Sequence, residues 1–186
     1  MNPVKLVHGR AYPLGRDNVD TDLIIAAEHL KTISRSGLGL HAFGRLRAAP
    51  GNMFVDPAFA GAPILIAGAN FGCGSSREHA VWALADLGVR AVIAAGFSDI
   101  FSSNAFKNGI VTVELDAADI QRLMTVALTD AITVDVETMI VSAPGVRMSF
   151  SLDPFRRECL MRGLDEIALT LASERAIRTY EQRTGI

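Results

Sequence analysis

One continuous apolar run constrains this chain more than anything else in it. Residues 64–67 (Ile-Leu-Ile-Ala) lack the apolar–polar alternation of a half-wet strand, and 89–95, apolar but for Arg90, reads the same way. Each predicts a strand covered on both faces, and 110–115 is expected to be a third strand. Between them lie two helical stretches. One spans 76–87 and is closed by Gly88; the other spans 97–107 and ends at Asn108-Gly109. Strand–helix–strand units predict a parallel sheet, because parallel neighbours need a crossover.

Further along, the pattern changes. Ile120, Leu123, Met124, Ala127 and Leu128 recur at helical spacing. In 146–152 the apolar residues alternate, as in an antiparallel strand with one wet face. Asp153-Pro154 caps a final helix with Leu164, Ile167, Ala168 and Leu171 on one stripe. Residues 14–59 are irregular and punctuated by Gly and Pro, with short helices expected within 22–33 and 38–46. So long a stretch of weak structure points to a functional loop. The expectation is one α/β domain over residues 1–186, with a central parallel sheet and an antiparallel portion.

Charge and cysteine content narrow the partners. The 18 Lys and Arg against 20 Asp and Glu give a net charge of −2, which offers no pull toward nucleic acid or an anionic membrane. No apolar run reaches the roughly 18 residues of a membrane span. The first residues, Met1-Asn2-Pro3-Val4-Lys5, show no apolar leader, so a cytoplasmic location is expected. Two cysteines, Cys73 and Cys159, are too few for an iron–sulfur shell or a structural zinc site. His8 and His41 have no ligand-like spacing with other donors, and no metal is expected on this chain.

The informative segment is 68–80, Gly-Ala-Asn-Phe-Gly-Cys-Gly-Ser-Ser-Arg-Glu-His-Ala, where a buried strand meets a helix. Free N–H groups and the helix dipole favour an anion there. Phosphate motifs fail: no Lys follows the glycines, Arg77 stands where GxGxxG needs Gly, and no GxSxG elbow occurs. Two hydroxyls with an Arg fork suit a dicarboxylate better. As plain structure, Ser75 or Ser76 would be an N-cap worth ~1 kcal/mol, Trp82 would be core, and Glu78 and His79 would orient the loop or meet a partner. Cys73 and His79 share no helical face, which argues against a Cys–His nucleophile.

Residues 72–80 resemble the GxGSSREHA signature of swivelling domains in the aconitase superfamily. Asn18-Val19-Asp20-Thr21-Asp22 is similar to that family's N-x-D-T-D element. Phe97-Ser98-Asp99-Ile100-Phe101, with Asn104 and 107–109, is similar to its third block. His29-Leu30-Lys31, Gly37-Leu38-Gly39 and Gly163-Leu164-Asp165 look most like the small subunits of bacterial isopropylmalate isomerases.

The resemblance implies a three-layer β/β/α swivelling fold and a hydro-lyase of leucine biosynthesis that interconverts 2- and 3-isopropylmalate. It implies a heterodimer in which the large subunit, not this chain, carries a [4Fe-4S] cluster. Ser75 would be the catalytic base, and Ser76 and Arg77 would hold a substrate carboxylate. Gly72, Gly74, Asp20 and Asp22 would support the site. A mobile loop at about 28–56 would read the side group through Leu30 and Lys31. The apolar Leu30 and the lack of Arg at 29–31 disfavour a tricarboxylate such as homoaconitate, although Arg35 lies close by. A methylmalate/citraconate enzyme and a non-catalytic dicarboxylate-binding module stay open as alternatives.

Overall fold

A computed structural model describes residues 1–185. The three expected strands form β3 (Ile64–Ile66), β4 (Ala91–Ala94) and β5 (Val111–Glu114), and β2 (Ala11–Pro13) joins them at one edge. All neighbours in this sheet, ordered β2-β3-β4-β5, are parallel. Helices α3 (Glu78–Leu87) and α4 (Asp99–Lys107) make the crossovers. A second sheet contains β1 (Leu6–Gly9), β6 (Ile132–Asp135), β7 (Ile140–Ala143) and β8 (Val146–Ser149), all antiparallel in that order.

Why β3 and β4 carry no polar residue is now visible: their side chains divide between two cores. Leu65 and Val92 pack with Tyr12, Phe43, Phe71 and Leu84 on the side of α3. Ile64, Ile66 and Ile93 point the other way, into a core shared with Leu123 of α5 (Ala117–Ala127) and with Val7, Val134 and Val141 of the antiparallel sheet. The layers are helices, parallel sheet and antiparallel sheet. Each such fully buried aliphatic contributes about 1.5–3 kcal/mol, so a polar residue on either face would be costly. Among the described residues no helix is long and apolar enough to cross a membrane.

The irregular region supplies core as well as surface. It holds α1 (Thr21–Ile24), α2 (Gly44–Arg47) and three single 3₁₀ turns, and it buries Val19, Ile24, Ile25, Leu38, Ala42 and Phe43. Phe43 stacks on Phe54 at 4.2 Å between ring centroids.

Two expectations need correction. The helix drawn over 76–87 begins at Glu78, because contacts from α1 hold the preceding residues out of helical geometry, with Arg77 extended. The single C-terminal helix is three: α6 (Pro154–Arg162), α7 (Glu166–Ala172) and α8 (Glu174–Thr184). The break falls at Gly163, whose φ is +70° and whose missing Cβ would lie 2.7 Å from the Met1 carbonyl oxygen. The N-terminal segment crosses there, and the Met1 amino group donates to Asp165 at 2.9 Å. Asp165 also caps α7 by accepting from the Ala168 N–H, chiefly for which its carboxyl is held below the usual range. Ile167 (72% exposed) and Leu171 (61%) therefore do not form the buried stripe that their spacing suggested.

Candidate active site

The glycine-rich loop leaves the C-terminal end of β3 and is stitched to its surroundings through the backbone. The Gly68 N–H donates to the Arg16 carbonyl, Asn18 N–H to Ala69, Gly72 N–H to Val19 and Thr21 N–H to Cys73, all at 2.8–3.0 Å. On the other side, Phe71 N–H donates to Gly96 and Ser98 N–H to Phe71. Gly72 shows why a side chain is excluded. Its φ is +75°, and a Cβ there would sit 2.2 Å from the Phe101 ring. Gly74, at φ +86°, turns the chain beside Asp20.

The N-x-D-T-D element acts residue by residue. Asp20 caps α1, accepting from the Leu23 N–H at 2.7 Å. Thr21, buried, donates its hydroxyl to the Ser75 carbonyl at 2.8 Å. Asp22 forms an ion pair with Arg77. Together these contacts hold Ser75 at a bend and Arg77 extended, so α3 starts at Glu78.

Neither serine is a cap. Arg77 occupies the N-cap position with φ −139° and no side-chain cap bond, which leaves the first-turn N–H groups of α3 without a side-chain acceptor. From the far wall, Ser98 caps α4 and donates to the Gly72 carbonyl at 2.6 Å.

The result is a cleft of about 220 Å³. Ser75, Ser76 and Arg77 line one side, Ser98, Asp99 and Asn104 the other, over a floor of Gly72 and Phe101. Both serines are exposed, whereas the Arg77 side chain keeps only 19% of its surface. A half-buried guanidinium at an open helix end favours an anion. The Asp22 carboxylate engages one arm of the fork, Nη1, and the other donors remain for a second carboxylate.

Of the residues singled out in sequence, Ser75, Ser76, Arg77, Gly72 and Gly74 meet at this cleft, and Asp20 and Asp22 stand behind it. Leu30 and Lys31 do not line it. Leu30 packs against the first core. Lys31 lines a separate pocket with His29 and His41, whose rings stack 3.9 Å apart. Glu78 is a brace, accepting from Trp82 Nε1 at 3.2 Å and from Asn108 Nδ2 at 3.1 Å. Thr21 and Ser98 were missed as site residues. Both lie inside motifs already noted, and the signal was there in a buried-type Thr between two acids and a Ser before a helix.

Comparison with known proteins follows this geometry closely. The profile of the Aconitase C-terminal domain matches residues 1–118. A "3-isopropylmalate dehydratase small subunit" from Novosphingobium aromaticivorans is 61% identical over 98% of this chain and 91% of its own length. The protein of the same name from Zymomonas mobilis is 59% identical over 97% and 95%. The chain belongs to this family. Its fold also matches the crystal structure of 3-isopropylmalate dehydratase from Methanocaldococcus jannaschii, with a TM-score of 0.70 and 26% identity over 95% of this chain and 99% of that one. The three layers are thus those of an aconitase-type swivelling domain.

Family membership raises the question of the iron–sulfur cluster, and this chain's residues do not fit one. Cys159 is buried in α6 and its thiol is pushed up by burial, while Cys73 sits alone on the glycine loop. Among the described residues no three His, Cys, Asp or Glu side chains are grouped to hold a metal ion.

Proposed function

We propose that this chain supplies the proton-transfer and carboxylate-binding half of a hydro-lyase that isomerises 2-isopropylmalate to 3-isopropylmalate in leucine biosynthesis. Its partner is a large subunit bearing a [4Fe-4S] cluster, whose open iron would take the poor leaving group, hydroxide. The remaining demands fall on this chain. The proton to be removed lies α to a carboxylate and is barely acidic, so it needs a positioned base and charge stabilisation next to it. Ser75 is that base. It takes the proton during dehydration and returns it during rehydration at the neighbouring carbon.

Arg77 and Ser76 hold the carboxylate on which negative charge builds. Asp22 fixes the direction of the fork and so pre-orients it. The segment at about 28–56, with Leu30 and Lys31, is assigned to reading the substrate's side group. One observation carries the proposal: Ser75, Ser76 and Arg77 share one open cleft, held there by Thr21 and Asp22 of the second family motif. The cleft's exposure fits a site that a second subunit must close, since a serine base in bulk water is ineffective.

The test is an activity assay of the chain alone and mixed with a reconstituted large subunit, following absorbance of the unsaturated intermediate. Activity only in the mixture, strongest with isopropylmalate, is the expected outcome. Strongest activity with citraconate would keep the mechanism and change the pathway. No activity in the mixture, together with dicarboxylate binding by the lone chain, would contradict the enzyme reading in favour of a binding module.

A further inference from the structure

Helix α3 carries Arg77 at its start and the first core on one face, through Ala80, Val81, Ala83 and Leu84. Its opposite stripe, His79, Trp82 and Asp86, is spaced three and then four residues apart and faces one way. All three contact a single stretch of the irregular region. His79 Nε2 lies 2.9 Å from the Thr32 carbonyl oxygen. The Arg35 guanidinium rests over the Trp82 ring at 5.0 Å. Asp86 Oδ2 accepts from the Gly39 N–H at 2.7 Å.

Gly39 comes so close that an added Cβ would meet the Leu87 nitrogen at 2.5 Å and the Asp86 carbonyl carbon at 2.6 Å, both backbone atoms that cannot give way. The His79 and Trp82 rings also pack on each other at 4.6 Å, which makes the first two contacts a unit.

We propose that His79, Trp82 and Asp86 form a latch that registers residues 32–39 on the helix that starts at Arg77, and that this register sets which substrate side group is accepted. They are positioning residues and touch no reacting atom. The inference rests on the assignment of the 28–56 segment to side-group recognition. Two features favour a latch over incidental packing. All three anchors come from one helix, so the segment moves with the carboxylate-binding Arg77 and not independently of it. Further, the latched stretch follows directly on Leu30 and Lys31, the residues assigned to the side group, so a shift at 32–39 moves them.

The experiment uses the assembled heterodimer with His79→Ala, Gly39→Ala and the conservative His79→Gln, whose side-chain amide nitrogen can replace Nε2. Two quantities are read: amide hydrogen exchange over 31–40, and the ratio of kcat/KM for isopropylmalate to that for methylmalate. In His79→Ala exchange rises and the ratio falls about fivefold, the worth of one hydrogen bond; in Gly39→Ala, where the added Cβ meets backbone, both change by at least as much, in each case through KM for isopropylmalate with kcat kept. His79→Gln restores both. Unchanged exchange in the Ala variants overturns the latch. Raised exchange with an unchanged ratio overturns the link to selection, and with it the reading of the 28–56 segment alone. An equal fall in kcat for both substrates contradicts a positioning role.

Discussion

The glycine-rich loop and the 28–41 segment both run beside α3, yet they are held largely by different means. The loop is fixed by backbone hydrogen bonds to two neighbouring segments and by glycines, Gly72 above all, that leave no room for a side chain. The 28–41 segment is tied by the side chains of one helix stripe. Backbone ties are indifferent to most substitutions, whereas side-chain ties can be exchanged one residue at a time. A fold that keeps its chemistry and changes its substrate would place the reacting groups on the first kind of support and the selecting groups on the second.

Four replacements bear on that contrast, in descending order of effect. Ser75→Ala removes the base and is expected to lower kcat about 10³-fold while the heterodimer still assembles, as size-exclusion chromatography can verify. Survival of activity would break the placement of chemistry on the loop. Arg77→Lys keeps the charge but loses the fork, and kcat/KM should fall about 10²-fold for any dicarboxylate substrate. Gly72→Ala forces a Cβ into Phe101 at a positive φ; a loss of about 3 kcal/mol is expected in urea unfolding.

Asp135 provides the smallest effect and a control far from both regions. Its carboxylate accepts from the Glu137 and Thr138 N–H groups in the turn after β6, and chiefly the Thr138 bond lowers its pKa. Asp135→Ala should cost about 1 kcal/mol at neutral pH. A lowered folded-state pKa means that this contribution is present above the ordinary carboxylate value of about 3.9 and is lost as pH falls through the lowered one. The gap between variant and wild type should therefore close in that acidic window, with activity unaffected at neutral pH.

Much of this was legible in sequence, for reasons that differ by region. The parallel core announced itself because strands buried on both faces cannot carry polar residues, as in Ile64, Leu65 and Ile66. Ser75, Ser76 and Arg77 were visible because they are contiguous in a motif. Strands β1 and β2 were not, being three or four residues long and unpatterned.

The break at Gly163 depends on Met1 and Pro3 crossing it, which no local window contains. Similarly, Thr21 meets Ser75 across 54 residues and His79 meets Thr32 across 47. Such contacts depend on how the sheet brings distant segments together. The sequence therefore exposed the reacting groups and the glycines and acids beside them, and hid the specific long-range contacts that Thr21 and His79 make.

The measurement that tests the division of labour most directly compares Arg77→Lys with Gly39→Ala in the same heterodimer, on isopropylmalate and methylmalate. Arg77→Lys should depress both substrates equally and leave their kcat/KM ratio unchanged. Gly39→Ala should shift the ratio toward methylmalate while kcat is kept. A ratio that moves as far in Arg77→Lys as in Gly39→Ala would contradict the account, because one structural region would then be doing both jobs.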